Sequence, residues 1–149
     1  MPIHSHLSNH SSPLRKNVKC LQISLHHSKL ASLSLAQVVL NFDIDIAMIQ
    51  ESYAFTATTP VVANIPPGYS IYHNLTRDHA YGSAILVRDS LAKAYKLTTK
   101  HFDNHVSCIE LKTHSGTYRF ASVYLSRSIA DPELSLNTIH SFICLLSRC

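Results

Sequence analysis

The segment IDIAMIQE at residues 44–51 decides the fold, because it joins an almost uninterrupted apolar run to a single acidic residue. Runs of this kind are typical of strands that are covered on both faces of a sheet. The run therefore predicts a central buried strand that ends at Gln50. The carboxylate of Glu51 would then lie at the carboxyl end of that strand, where ligands and metal ions gather in layered α/β folds. The position of Glu51 in the sequence is equally compatible with a solvent-exposed loop residue that has no functional role.

Two further acidic residues, Asp43 and Asp45, flank the beginning of the same run. They lie at the opposite end of the predicted strand from Glu51. Acidic residues at such positions commonly belong to turns and sheet edges. We therefore expect structural roles for Asp43 and Asp45, and we expect any chemistry at the other end of the strand.

Upstream of this strand, residues 18–25 (VKCLQISL) form a second short apolar run, which is suited to a buried strand. Ser28 is a good N-cap for the helix that follows. The predicted apolar face of this helix recurs at helical spacing and consists of Leu30, Leu33, Ala36, Val39 and Leu40. A strand, a helix and a second strand predict a crossover unit with parallel strands in a layered α/β fold.

Downstream, the pattern changes to strands that are separated by turn residues. Residues 69–73 and 83–87 are strand candidates, and residues 105–113 and 117–125 predict a β-hairpin that turns at His114, Ser115 and Gly116. A last helix is predicted to begin at Asp131, Pro132 and Glu133. Residues 1–17 are rich in serine and histidine and predict a disordered tail, which leaves residues 18–149 for the folded domain.

Composition excludes several classes of protein. The chain has 149 residues, enough for one compact domain, and its three isolated glycines exclude a dinucleotide-binding fingerprint and a P-loop. Its four cysteines form no C-x-x-C pair, and no G-x-S-x-G motif occurs. Thirteen Lys and Arg against nine Asp and Glu give a net charge of +4, a mild bias towards polyanions such as nucleic acid. With no signal peptide and no apolar run of ~20 residues, we expect an intracellular protein without a membrane partner.

Histidine is abundant, and two dipeptides containing it are chemically interesting. His26 and His27 follow the first predicted strand, where they are either a metal site or polar loop residues. Asp78 and His79 form an acid–imidazole pair, but they lie in a polar loop where adjacent side chains usually diverge. The eleven histidines also leave open a metal-binding protein that uses three His or Cys side chains.

Four segments come in an order that resembles a known family: LQISLHHS at residues 21–28, DIDIAMIQE at 43–51, YGSAILVR at 81–88 and FASVY at 120–124. Together they resemble the amino-terminal part of the endonuclease domain of non-LTR retrotransposon polyproteins, within the endonuclease/exonuclease/phosphatase superfamily. The resemblance covers residues 18–145. It implies a four-layered α/β sandwich, in which two mixed β-sheets pack face to face and helices flank them, present here in truncated form.

The resemblance also implies an activity and a site. It implies hydrolysis of phosphodiester bonds in DNA with Mg²⁺ or Mn²⁺, in the nucleus, as part of a polyprotein that carries a reverse transcriptase. By the same resemblance Glu51 binds the metal ion, Tyr124 contacts the scissile phosphate, and Ser24 stands where the family usually has the asparagine of the metal–phosphate network. Mg²⁺ prefers oxygen ligands, and it polarises the phosphoryl group and stabilises the leaving oxygen.

Two later segments of the family, G-D-F-N and S-D-H, do not occur in this sequence. In the family the first positions the attacking water and the phosphate, and the histidine of the second contacts the phosphate. We therefore expect a fragment of a nuclease domain that does not cleave DNA alone. The alternative is a non-catalytic α/β module that binds nucleic acid weakly, with its basic side chains on one face and Glu51 elsewhere.

Overall fold

The computed structural model describes residues 17–55, 60–76, 82–100 and 105–125. These ranges contain two helices and nine strands, in the order β1 (Cys20–Ser24), α1 (Lys29–Asn41), β2 (Ile46–Gln50), β3 (Ala54–Phe55), β4 (Val61–Val62), β5 (Tyr69–His73), β6 (Ser83–Arg88), α2 (Asp89–Ala94), β7 (Leu97–Thr99), β8 (Val106–Thr113) and β9 (Gly116–Val123). The predicted carboxy-terminal helix, the predicted tail and the Asp78–His79 pair lie outside the described residues. No helix within those ranges is long and apolar enough to cross a membrane.

The strands form two larger sheets and one small pair. The first sheet is mixed and has the order β1-β2-β6-β5, in which β1 and β2 are parallel and the other neighbours are antiparallel. The second sheet has the order β7-β8-β9 and is antiparallel throughout its described strands. The remaining pair is β3-β4. The predicted α/β fold class, with two sheets and flanking helices, is confirmed, and so is the β1-α1-β2 crossover.

The two larger sheets pack face to face around an apolar core. The buried side chains of this core are Ile46, Ile85, Val87, Leu91, Ile109 and Leu111. Helix α1 covers the opposite face of the first sheet, where a second buried cluster contains Leu25, Leu35, Val39, Ala47, Ile49, Tyr69, Ala84 and Leu86. Strands β2 and β6 therefore have apolar neighbours on both faces, which is why the sequence of β2 is almost uninterrupted in its apolar residues.

The predicted buried face of α1 is correct at Val39 and wrong at its three leucines. The buried residues of the helix are Ser32, Leu35 and Val39, whereas Leu30 is 73% exposed and Leu33 and Leu40 are each 48% exposed. Ser32 occupies a core position because its hydroxyl donates a hydrogen bond to the carbonyl oxygen of Ala63 over 3.2 Å. A prediction based on apolar residues alone therefore misplaces the buried face of α1, because it does not assign a serine to the core.

The start of α1 is as predicted, because the Ser28 hydroxyl accepts a hydrogen bond from the Ala31 N–H over 3.2 Å. Replacing Ser28 with alanine is expected to lower the free energy of unfolding by about 1 kcal/mol, because one backbone N–H of the first turn loses its acceptor. Urea denaturation followed by circular dichroism measures this. Ser34→Ala, at an exposed position within the same helix, is the matched control and is expected to be neutral or slightly stabilising. Equal losses in both variants would contradict a capping role.

Four short elements were not predicted: α2, β3, β4 and β7. Helix α2 has six residues, follows β6 without a break, lacks a side-chain cap and buries only Leu91. A segment of this length is too short to show a helical period. The hairpin formed by β8 and β9 is confirmed, and its last pair is Thr113 with Gly116, whose φ of 145° suits glycine.

Asp43 and Asp45 lie at the amino end of β2, away from Glu51. Arg88, the last residue of β6, pairs with both: its Nη2 lies 2.6 Å from Asp43 Oδ1 and its Nε lies 3.0 Å from Asp45 Oδ1. The second Asp45 oxygen accepts the Lys19 N–H over 2.9 Å. Both aspartates therefore stabilise the end of the first sheet at which β2 begins, which agrees with the structural roles expected from the sequence.

Candidate functional site

The candidate site lies where β1 and β2 end together. The two strands are parallel, and Ser24 pairs with Gln50 at their carboxyl ends. The pairing continues past the strands, because the Leu25 N–H donates to the Gln50 carbonyl over 3.0 Å and the His27 N–H donates to the Glu51 carbonyl over 2.9 Å. Residues 24–27 and Glu51, which are far apart in sequence, are therefore brought to one edge of the sheet.

Three side chains from this edge surround the Glu51 carboxylate. The Ser24 hydroxyl donates a hydrogen bond to Oε1 over 3.1 Å. His26 Nδ1 lies 3.6 Å from Oε1, and His27 Nε2 lies 3.4 Å from Oε2. The His26 side chain is 80% exposed, whereas that of His27 is 29% exposed. Ser24 and Glu51, both predicted as site residues, are thus in direct contact, and the histidine pair joins them.

The backbone at this site is left-handed at three residues that are not glycine. The φ angles are 48° at His26, 55° at His27 and 51° at Glu51. This conformation costs about 1–2 kcal/mol for an ordinary residue, and such residues cluster at functional sites. Here the turn aims both imidazoles back at the carboxylate, an arrangement that an extended continuation of the two strands would not produce.

Tyr124 approaches the same site from the second sheet. It follows β9 directly, and its N–H donates to the His105 carbonyl over 2.8 Å. Its ring meets the His27 ring edge to face, with centroids 6.5 Å apart and an angle of 82° between the planes. His27 therefore contacts both Glu51 and Tyr124, which brings these two predicted site residues to one region of the molecule.

A buried polar layer lies directly beneath the site, and we call it the serine layer: Gln50, Ser83, Ser107 and Ser122. Gln50 pairs with Ser83 across the first sheet, and Ser107 pairs with Ser122 across the second. Between the sheets, the Ser83 hydroxyl donates to Ser107 Oγ over 3.0 Å and Gln50 Nε2 donates to Ser122 Oγ over 3.1 Å. The three serines are fully buried. The layer fixes one sheet against the other beside Glu51 and Tyr124.

Sequence reasoning missed this layer and the role of the histidines. Each serine of the layer is a small polar residue within an otherwise apolar strand, and that pattern was a usable signal. The predicted parallel crossover puts His27 and Glu51 at the same edge of the sheet, but nothing in the sequence indicates the left-handed turn that brings the imidazole onto the carboxylate.

Neither described cysteine is activated as a nucleophile. Burial raises the pKa of the Cys108 thiol, and burial together with the nearby Asp45 carboxylate raises the pKa of the Cys20 thiol. Both thiols therefore stay protonated at neutral pH, which removes the reactive thiolate that cysteine chemistry requires. Covalent chemistry through these two residues is accordingly not part of the site.

The donor atoms at the site admit a divalent cation. One carboxylate, completed by water and by substrate oxygens, is a sufficient protein contribution for Mg²⁺, so Glu51 fits the ion that the family resemblance implies. Within the described part of the chain, no group of three or more His, Cys, Asp or Glu side chains is arranged to hold a metal ion. The hypothesis of a site with three His or Cys ligands therefore finds no support there.

Comparison with known proteins identifies the class. The family model of the Endonuclease/Exonuclease/phosphatase family matches residues 17–143, so the chain belongs to this family. This confirms the family resemblance of the sequence segments. A comparison with curated protein sequences finds no match.

Two solved structures are similar in fold. One is the endonuclease domain of TRAS1, a telomere-specific non-LTR retrotransposon, with a TM-score of 0.59, 20% identity, and coverage of 89% of this chain and 52% of that one. The other is an endonuclease/exonuclease/phosphatase family protein from Leptotrichia buccalis C-1013-b, with a TM-score of 0.51, 13% identity, and coverage of 84% and 61%. At these identities the likeness concerns the fold. The chain spans about half to three fifths of the length of these two relatives.

Proposed function

We propose that this chain is part of a retrotransposon-type endonuclease domain, which binds DNA through a divalent cation held by Glu51. The family membership and the fold shared with a retrotransposon endonuclease domain support the class. The observation that carries the proposal is the convergence of Ser24, Glu51 and Tyr124 around His27, where the two sheets meet.

Each side chain has a distinct part in this proposal. Glu51 supplies an oxygen ligand, and the Ser24 hydroxyl holds Oε1 of that carboxylate in place. A Mg²⁺ or Mn²⁺ ion, when bound, supplies Lewis acidity to a phosphoryl oxygen and stabilises the developing charge on the leaving oxygen. Tyr124 presents a hydroxyl group that donates a hydrogen bond to the scissile phosphate, and its ring is positioned by the edge-to-face contact with His27.

The proposal includes the wider setting of the domain. The G-D-F-N and S-D-H segments, which in the family position the attacking water and the phosphate, do not occur in these 149 residues. Groups that act as a unit lose nearly all of their effect when one member is missing. We therefore propose that the chain alone binds DNA without cleaving it. Within an intact element, the partner would be the rest of a polyprotein with a reverse transcriptase, and the nucleus would be the place of action.

The test is metal-dependent binding of a fluorescent DNA duplex by the purified 149-residue chain. Adding Mg²⁺ or Mn²⁺ at constant ionic strength is expected to raise the DNA affinity about tenfold, because the ion offsets repulsion between carboxylate and phosphate. Glu51→Gln is expected to abolish this increase, and Tyr124→Phe is expected to reduce it. Glu110→Gln, remote from the site and paired with Arg119, is the control and should behave as the wild type.

The other outcomes of this experiment are also decisive. DNA binding that ignores both the metal ion and Glu51 would contradict the proposal and favour the non-catalytic nucleic-acid-binding module. Nicking of supercoiled plasmid that disappears in Glu51→Gln would show that the chain is active by itself, against the proposed inactivity. Absence of nicking together with metal-dependent binding supports both parts of the proposal.

A further inference from the structure

Strand β1 lies at one edge of the first sheet as formed by the described strands, and it carries none of the usual protection of an edge. Its five residues, CLQIS, include no charged side chain, no proline and no glycine. Natural sheets protect their edges with charges, prolines, bulges or a covering segment, because an open row of backbone N–H and C=O groups pairs with other strands. Strand β1 is therefore suited to pairing with one more strand.

The hydrogen bonds between β1 and β2 show which backbone groups of β1 point away from the sheet. The Lys19 carbonyl accepts the Ile46 N–H over 3.1 Å, and the Leu25 N–H donates to the Gln50 carbonyl over 3.0 Å. Successive residues of a paired strand alternate in the direction of their N–H and C=O groups. The odd-numbered residues of β1 therefore face β2, and the even-numbered ones face outwards, with Gln22 at their centre.

Exposed apolar side chains gather beside this edge. Of the eight large apolar side chains that are exposed among the described residues, six lie between Val18 and Phe42. A groove of about 390 Å³ lies between β1 and α1, and its lining includes Ile23, Leu30, Ala31, Leu35 and Val38. Contiguous exposed apolar surface of this kind marks sites of protein–protein interaction.

We infer that the open edge and the groove together bind a second copy of this chain, in a symmetric dimer that pairs β1 with β1 in antiparallel orientation. A two-fold axis at Gln22 lets the Gln22 N–H of each copy donate to the Gln22 carbonyl of the other. The same axis places Leu21 opposite Ile23 of the second copy, on the face of the sheet that α1 covers. The four-stranded sheets of the two copies then join into one continuous sheet.

The symmetry and charge of the surface favour a second copy over other occupants. One two-fold axis satisfies both features, because it pairs the strands and brings the groove of each copy towards α1 of the other. Lys19 and Lys29 are the only Lys, Arg, Asp or Glu residues of segment 18–42. In the register centred on Gln22, Lys19 lies opposite Leu25 of the second copy, so like charges do not meet across the strand pair. An apolar surface with two lysines offers little to a polyanion such as nucleic acid.

The dimensions of the surface set the expected strength of the dimer. Strand β1 has five residues and spans about 17 Å, and α1 has 13 residues and spans about 20 Å. A surface of this extent is at the small end of specific interfaces, about 600 Å² per partner. We therefore expect a dimer that dissociates on dilution.

Sedimentation equilibrium of the full chain under reducing conditions is expected to show a monomer–dimer equilibrium in the micromolar range. Gln22→Pro should weaken the dimer about tenfold or more, because proline removes the outward N–H at the two-fold axis without removing a bond to β2. Gln22→Ala is the matched control, since it keeps that N–H, and its dimer affinity should stay within about threefold of the wild type.

Leu30→Lys tests the groove without touching the strand. Leu30 is 73% exposed, so the variant should fold as the wild type does, and the charge introduced into the interface should weaken the dimer about tenfold or more. Tyr118→Lys makes a similar change at a 51% exposed position on the β8–β9 hairpin and should leave the dimer affinity unchanged.

A chain that stays monomeric at all concentrations would overturn the inference and leave the edge to a strand of another polypeptide. A dimer of undiminished affinity in both Gln22→Pro and Leu30→Lys would also overturn it, and so would growth into large aggregates without a dimer. The inference goes beyond the proposed function and can fail separately. The interface does not include Glu51 or Tyr124, so a monomeric chain could still show metal-dependent DNA binding.

Discussion

Replacing Arg88 with methionine is expected to lower the free energy of unfolding by about 3–5 kcal/mol, because it removes the guanidinium that faces a buried carboxylate. The Asp45 side chain is 3% exposed, and its Oδ1 lies 3.0 Å from Arg88 Nε. Methionine keeps much of the volume and removes the charge, so the loss reports the ion pair more than the packing.

The geometry around Arg88 explains why the effect should be large. The guanidinium also lies 2.6 Å from Asp43 Oδ1 and donates to the Ile44 carbonyl over 3.1 Å. Its central carbon sits 5.1 Å from the centroid of the Tyr69 ring, within range of a cation–π contact. One side chain thus ties the end of β6 to the turn before β2 and to β5, and a lysine in its place could not make this set of bonds.

Chemical denaturation of the Arg88→Met and Arg119→Met variants compares how much two arginine–carboxylate pairs contribute to the free energy of unfolding. Arg119 Nε lies 2.9 Å from Glu110 Oε2, and the Glu110 side chain is 16% exposed, so its carboxylate retains more contact with water. The Arg119 variant is expected to lose about 1 kcal/mol. If Arg88→Met lowers the free energy of unfolding by no more than Arg119→Met does, the burial of Asp45 does not make its pair with Arg88 the more stabilising one. Mg²⁺ binding at the proposed site should be the same in folded Arg88→Met as in the wild type, since Arg88 lies at the opposite end of the strands from Glu51.

The parts of the fold that the sequence predicts are those in which local pattern and tertiary packing agree. Strand β2 is covered on both faces, so its apolar run indicates a buried strand without further information. The Ser28 cap and the β8–β9 turn rest on local chemistry, and both are present. Glu51 was singled out because a residue at the end of a central strand has a defined location once the strand is known.

The parts that the sequence does not predict depend on where distant segments meet. Ser32 faces the core because Ala63 offers a carbonyl oxygen, and nothing near Ser32 in the sequence indicates that partner. His27 contacts Glu51 only because a parallel crossover and a left-handed turn bring residues 26 and 27 back over the edge of the sheet. The serine layer likewise depends on the register between two sheets, which no single strand encodes.

The serine layer is expected to contribute both to stability and to the geometry of the site, and Ser122 is the residue that tests both. Its hydroxyl donates to the Ile49 carbonyl over 2.8 Å and accepts from Gln50 Nε2 over 3.1 Å. Ser122→Ala removes both bonds from a fully buried position, so we expect a loss of about 2 kcal/mol or more in the free energy of unfolding. Thermal unfolding should show a midpoint lower by about 4–8 °C.

Ser107→Ala is the matched control, because Ser107 is the cross-strand neighbour of Ser122 and is equally buried. Its hydroxyl bonds to Ser83 on β6 rather than to Ile49 and Gln50 themselves: it donates to the Ser83 carbonyl over 2.9 Å and accepts from Ser83 Oγ over 3.0 Å. We expect a similar loss of stability of about 1–3 kcal/mol. The double variant Ser83→Ala/Ser107→Ala should cost less than the sum of its single variants, because no hydroxyl is left buried without its partner.

The affinity for a metal ion should distinguish the role of Ser122 from that of Ser107. Ser122 holds Ile49 and Gln50, the last residues before Glu51, and it lies two residues before Tyr124. At the proposed metal site, Ser122→Ala should therefore weaken Mg²⁺ binding about tenfold, because loss of a hydrogen bond that supports a ligand typically costs that much metal affinity. Ser107→Ala should leave the affinity within about threefold of the wild type, since its bonds reach Glu51 only indirectly, through Ser83 on the neighbouring strand β6. Equal changes in metal affinity in the two variants would mean that the layer stabilises the sheets without positioning the carboxylate.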